Sequence, residues 1–309
     1  MAVEAPTALA ERAIPTKVRL REALEAGRGG RAAELAGRLP GEWEEIRFLY
    51  PEFLRRAFVE LSARVGESAR LAGFRAELEA DLGPDFEAVA EQEELERQLA
   101  AFVAASRGGR AGVAELEALF ATWQRLHDRW RDQLSAAIDV GVELLGEPRL
   151  GELWEAIQAD EIAGYDRYDP AKRPWSDSFE EVVESALTGM HGHLCGAKFD
   201  GEIGVFEEAD HVELRFSPCG SGGRIREDER FGVTGAKYDW GWNKDGVCYY
   251  CVHCCVLQQL TPIDRFGAPV RVIDPPTEPG DSCSWRVYRS LDQVPDSAYA
   301  DVGRKRPAK

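Results

Sequence analysis

All seven cysteines of this 309-residue chain lie between Cys195 and Cys283, and four of its five histidines lie between His191 and His253. The first 190 residues hold no cysteine and one histidine, His127. The chain must therefore build two kinds of structure, one held by apolar packing alone and one in which thiols converge. Seven is an odd number, which a pure disulfide framework does not account for. In a reducing compartment, clustered cysteines bind metal more readily than they pair. The start, Met1-Ala2-Val3-Glu4-Ala5-Pro6, has no basic region followed by an apolar core, so the reading places the protein in the cytoplasm.

The length suits two domains, each able to bury a core. No apolar run approaches the roughly 20 residues needed to cross a bilayer, so no membrane role is expected. The net charge of −17 argues against nucleic acid as the main partner, since phosphate binding needs a basic surface. The one basic cluster, Arg304-Lys305-Arg306, reads as a solvated end.

Residues 1–16 carry Pro6 and Pro15 and read as a frayed leader. Beyond them the pattern is helical. Trp43, Ile46 and Leu49 share a face, and Pro51 falls where a new helix would begin, continued by Phe53, Phe58 and Leu61. The strongest helix runs from Ala114 to about Leu145. Leu116, Leu119, Trp123, Leu126, Trp130, Leu134 and Ala137 recur at spacings of three or four, a stripe about 45 Å long. Bundle core is the plain reading of that stripe; a docking face for a partner or a second copy of the chain is the other. His127, at its edge, reads as a packing residue.

The proline-bounded segment 165–175 reads as a linker, dividing a helical domain (1–169) from a Cys/His-rich one (177–303). Ser178 and Glu181 form a capping box for a helix that ends at His191. The segments 202–207 and 211–216 form a hairpin, with Val212, Leu214 and Phe216 on the buried face. Residues 251–260 read as a short helix ended before Pro262, 269–273 and 284–288 as strands, and 295–303 as a closing helix. The expected class is α+β, a helical domain followed by a small mixed metal-thiolate domain.

Cys251-Val252-His253-Cys254 places two thiolates three apart, on one face of a helix start, where free N–H groups favour thiolate over thiol. Cys219 adds a third from a strand end, followed by the loop Gly220-Ser221-Gly222-Gly223. The fourth ligand is expected from the run His191-Gly192-His193-Leu194-Cys195, with His193 favoured and His191 and Cys195 open as alternatives. Three thiolates and an imidazole suit tetrahedral zinc; an iron–sulfur cluster on Cys219, Cys251, Cys254 and Cys255 or Cys283 is the alternative cofactor. Cys248 and Cys283 read as ordinary buried residues, and His211 as a surface one.

The run His191–Cys195 resembles the opening of the E-type formylmethanofuran dehydrogenase family. The resemblance covers five residues. It departs at Gly196, where that family has proline, and the family's zinc ribbon does not follow. What it implies is metal binding by this segment.

The functional expectation is a zinc-dependent enzyme acting on a small anionic substrate by hydrolysis, lyase or thiol alkyl-transfer chemistry. His191 and His193 are the expected catalytic pair. Ser221 and Arg224 are the expected substrate-binding residues, through an anion cradle with a bidentate arginine. The competing expectation is an interaction or regulatory protein with a closed, structural zinc site.

Overall fold

The computed structural model describes residues 8–66 and 68–308. The fold is α+β: helices dominate as far as Gly192, and a four-stranded antiparallel sheet follows. Its strands are β1 (Gly204–Glu207), β2 (His211–Phe216), β3 (Val272–Asp274) and β4 (Cys283–Tyr288), in the spatial order β1-β2-β4-β3. The β2–β4 register sets Leu214 opposite Trp285 and Phe216 opposite Cys283. The expected alternation holds in β2, where Val212, Leu214 and Phe216 are buried.

The helical part is organised around two long elements, Leu39–Val65 and Val113–Leu145, which pack along each other. Trp43 of the first stacks on Trp123 of the second at 5.0 Å. The whole Leu116–Ala137 stripe is buried, so it is bundle core. No helix among the described residues is long and apolar enough to cross a membrane.

Several local expectations are corrected. Pro51 does not begin a helix; it sits inside one that is continuous from Leu39 to Val65. An interior proline costs about 3 kcal/mol. Trp43, Ile46, Tyr50, Leu54, Phe58 and Leu61 are all buried on that helix, and each contributes about 1.5–3 kcal/mol, so packing outweighs the defect. Ser178 is not a cap: the helix starts at Trp175, behind Pro174, and Ser178 is buried within it with an unpartnered hydroxyl. Trp175 fixes that start by donating its indole N–H to the Tyr288 carbonyl at 2.7 Å. Residues 8–16 are not frayed, because Leu9 and Ala13 are buried against the core; Pro6 lies outside the described residues.

The core is continuous across the expected 169/177 boundary. Trp123 donates to the Gly192 carbonyl and Trp154 to the Tyr249 carbonyl, both at 2.8 Å.

The segment after Cys251 does not stop before Pro262. It runs as a short α-turn (Val252–Cys255), a wider π-turn (Val256–Leu260) and a further α-turn (Thr261–Phe266). In an unbroken α-helix the Gln258 carbonyl would accept from residue 262, which is proline and has no N–H. That carbonyl accepts instead from the N–H groups of Val270 and Arg271, at 2.9 and 3.2 Å. The missing proline donor thus ties the Arg271 backbone beneath the helix, beside the main pocket. Widened turns of this kind recur at functional sites.

Candidate functional site

A pocket of about 430 Å³ opens between the Leu39–Val65 helix, the Trp175–Gly192 helix and the π-turn. One side of its lining is apolar, with Ile46, Phe48, Leu49, Phe53 and Leu257. Its inner wall carries Tyr50, His193, Tyr250, His253 and Cys254. Behind the wall lies a second cavity of about 20 Å³, lined by Cys219, Cys251, Cys254 and Cys283. Tyr250, His253, Cys254 and Trp285 face both spaces.

His193 ends a string of hydrogen bonds. Asp128 Oδ1 lies 2.9 Å from His127 Nδ1, and His127 Nε2 lies 3.0 Å from His193 Nδ1. Burial pushes both imidazoles below the usual histidine range, so both are neutral at pH 7. Burial works to raise Asp128, but the His127 hydrogen bond and the Arg131 charge hold its carboxyl below the usual range. An ionised carboxylate only accepts. The proton of His127 is therefore on Nδ1, its Nε2 accepts from His193 Nδ1–H, and the lone pair of His193 is left on Nε2. That is the tautomer a general base requires. The Tyr50 hydroxyl lies 3.5 Å from His193 Nδ1 and 3.0 Å from the Tyr250 hydroxyl, linking the string to the wall.

His253 and Cys254 form a second pair. His253 Nδ1–H donates to the Tyr250 carbonyl at 2.5 Å, which leaves Nε2 as acceptor 3.2 Å from the Cys254 sulfur. Burial pushes His253 down to about 4 and the Cys254 thiol well up. The pair is thus thiol and neutral imidazole, not thiolate and imidazolium. Cys219 is the contrast. A hydrogen bond from the Cys195 thiol, against the effect of burial and helped by Ser221 and the Gly223 N–H, brings its thiol down to about 6. At neutral pH it is the ready thiolate of the cluster.

The glycine loop is a packing seam. A Cβ on Gly220 would overlap the His193 carbonyl, and one on Gly222 would overlap the Cys251 sulfur. Ser221 lines the small cavity. Arg224 lines neither space; its guanidinium donates to the Leu194 and Gly196 carbonyls, at 2.5 and 2.9 Å, and lies on the Phe199 ring. That geometry makes it a brace for the 194–199 turn. His191 also turns away, its Nε2 3.1 Å from the Ala13 carbonyl.

The expected ligands are brought together only in part. Cys219, Cys251 and Cys254 line one cavity, whereas His193 belongs to the pocket and the histidine string. Cys283, read from sequence as an ordinary buried residue, lines the thiol cavity through its place opposite Phe216 at the start of β4. Cys248 is not unpaired in spacing either. Cys248-Tyr249-Tyr250-Cys251 is a second Cys-x-x-Cys, and a tight turn brings its two sulfurs within 2.8 Å. Cys255 points elsewhere, toward the Asp239 carbonyl. Among the described residues, no group of three or more His, Cys, Asp or Glu side chains is placed to hold a metal ion. The four thiols share a cavity, but their sulfurs are not in coordinating positions, with Cys251 turned toward Cys248. The His191–Cys195 run sends its three polar side chains to three different partners.

The sequence reading missed His127 with Asp128, Tyr50, Tyr250, Gln158 and Arg271. The one available signal was the His-Asp pair breaking an otherwise apolar stripe. No known protein family matches the chain, and no curated protein or solved structure is significantly similar to it.

Proposed function

We propose that this protein is an enzyme performing acid–base chemistry on a small molecule bound in the 430 Å³ pocket, with a zinc site on the thiol side of the pocket's inner wall. The observation that carries this reading is the Asp128–His127–His193 string, which ends at that pocket with the base lone pair on His193 Nε2. His193 is the proposed base. Tyr50 and Tyr250, whose phenols are held protonated by burial, are the proposed donors to a developing oxyanion. The apolar side around Phe48 and Leu49 limits water at the reacting atoms.

The donor set supports zinc held by Cys219, Cys251, Cys254 and Cys283, each reaching it by a side-chain rotation. When bound there, zinc supplies Lewis-acid polarisation or an activated water. A space of about 20 Å³ suits one ion. It is small for an iron–sulfur cluster, which four cysteines would otherwise also fit.

The test is metal analysis of the purified protein and of single Cys→Ser variants. The expected result is about one zinc per chain, lost in Cys219→Ser and Cys283→Ser and kept in Cys255→Ser. Cobalt in place of zinc should change its absorption when a ligand enters the pocket. A brown protein would move the reading to iron–sulfur, and full zinc in Cys283→Ser would remove the four-thiol set. Cobalt spectra indifferent to every ligand would mark a closed, structural site. The regulatory reading would then return, without the Leu116–Ala137 docking face, which is buried.

A further inference from the structure

Arg271 lines the main pocket, is 5% exposed, and carries a charge that no ion pair among the described residues answers. Its Nη1 donates to the Gln258 side-chain oxygen at 2.6 Å and the Tyr165 hydroxyl at 3.1 Å. Its Nη2 donates to the Val182 carbonyl at 2.8 Å and the Ser185 hydroxyl at 2.7 Å. All four acceptors are neutral. The fifth donor, Nε–H, is buried without a partner. Glu45 lines the same pocket and feels the Arg271 charge at a distance, but burial pushes its carboxyl above the usual range, so it is a poor counter-ion. A guanidinium stays charged at any working pH, and a buried charge without a paired counter-charge is costly. The surrounding bonds fix its position while leaving both the charge and one directed N–H unanswered.

Gln158 supplies a second, independent observation. It lines the same pocket at the junction of the Leu150–Ile157 and Ala159–Gly164 helices, is 0% exposed, and has neither its Nε2 nor its Oε1 hydrogen-bonded within the protein. Buried amides are ordinarily satisfied, and a glutamine unsatisfied at both ends is rare. Ile46, Phe53 and Leu257 give the same pocket its apolar side.

We propose that the pocket recognises an organic monocarboxylic acid with an apolar body, its carboxylate paired with Arg271 and a polar substituent paired with the Gln158 amide. One unpaired positive charge calls for one negative charge. A phosphate monoester carries close to two and three acceptor oxygens, more than this single free guanidinium donor answers. The pocket volume of about 430 Å³ is in the range of small-ligand sites and leaves room for a body beyond the charged group. This inference rests on the pocket being a small-molecule site, and it replaces Arg224 as the anion-binding residue.

The test uses the full chain and a panel of aliphatic and aryl monocarboxylates, each matched with its own primary amide and its phosphate-monoester analogue. Binding is read by calorimetry and ligand-observed NMR, with neither turnover nor metal content as readout, so failure here is distinguishable from failure of the enzyme reading. Carboxylates are expected to bind about tenfold or more tighter than their amides, the effect of one charge-assisted hydrogen bond. Arg271→Lys is expected to weaken them by a similar factor. Because Arg271 also braces Val182 and Gln258, Gln158→Met serves as the independent variant. It removes an unsatisfied buried amide, so the free protein is expected to melt at the same or a higher temperature while binding of hydroxy- or amino-substituted acids weakens. Equal binding of acids and amides, preference for the phosphate esters, no binding anywhere in the panel, or unchanged binding in Gln158→Met would each overturn the proposal.

Discussion

His193 Nδ1 lies 3.0 Å from His127 Nε2, although the two residues are 66 positions apart in the chain. Two neutral imidazoles in contact must split the roles of donor and acceptor. Asp128 decides the split, because its carboxylate accepts only and so holds the His127 proton on Nδ1. The protonation state at the pocket is thus set by a residue that does not line it.

The first prediction follows from that geometry. Asp128→Asn presents an amide that can donate to His127 Nδ1, and His127 would then carry its proton on Nε2 and donate to His193. The His193 proton should move from Nδ1 to Nε2, abolishing the base. Long-range ¹H–¹⁵N spectra of histidine-labelled protein report the tautomer directly. Native His193 should show a protonated Nδ1 and stay neutral below the usual histidine range, in line with the lowering of its pKa by burial. An unchanged His193 tautomer in Asp128→Asn would show that the string does not control it.

How much of this was legible in the sequence depended on how far apart the partners lie. The stripe from Leu116 to Ala137 and the alternation in 211–216 are local patterns, and both gave the right elements. Pro51 was misread because its local penalty is outweighed by burial against a helix more than 60 residues later. The Trp175 start was missed because it is fixed by the Tyr288 carbonyl, 113 positions away. Cys219, Cys251 and Cys254 stood out by type and spacing. Cys283 did not, because only the β2–β4 register places it with them. Arg224 drew attention through its glycine-rich neighbours, whereas Arg271 is positioned by a proline's missing donor and had no sequence signal of its own.

The glycine seam gives a second prediction. Gly220→Ala would drive a methyl into the His193 carbonyl, and Gly222→Ala would drive one into the Cys251 sulfur. Backbone cannot move aside as a flexible side chain can, so Gly220→Ala should cost at least about 3 kcal/mol, the upper range of overpacking. Gly73→Ala is the control. Gly73 lies within the Ala69–Leu82 helix with open space around it, and alanine there should stabilise by about 0.5–1 kcal/mol. Urea unfolding measures both. A Gly220→Ala midpoint equal to that of the native protein would mean the seam is looser than described.

The last prediction concerns pH. The Glu42 side chain is 12% exposed, accepts from the Thr16 hydroxyl at 2.5 Å, and lies 4.0 Å from His191 Nδ1. Burial pushes its carboxyl up to about 7, with the Thr16 hydrogen bond and the charges of Arg38 and Arg19 opposing. In an unfolded chain the same group titrates near 4.5. Between those values the folded state holds the proton and the unfolded state does not, so this group's contribution to stability falls as pH rises through that window. A glutamine side chain in its place would stay neutral throughout. Glu42→Gln should therefore match the native protein near pH 4.5 and exceed it at pH 8 by up to about 3 kcal/mol, at 1.36 kcal/mol per pKa unit. His191 faces the carboxylate but does not disturb the comparison. Burial pushes it down to about 4, so it is neutral in both folded proteins over this range, and its unfolded-state titration is common to both. The measurement is urea unfolding of the two proteins at about pH 5 and about pH 8, on either side of most of that window. A stability difference of the same size at both values would mean that Glu42 is ionised throughout and that burial does not hold its proton.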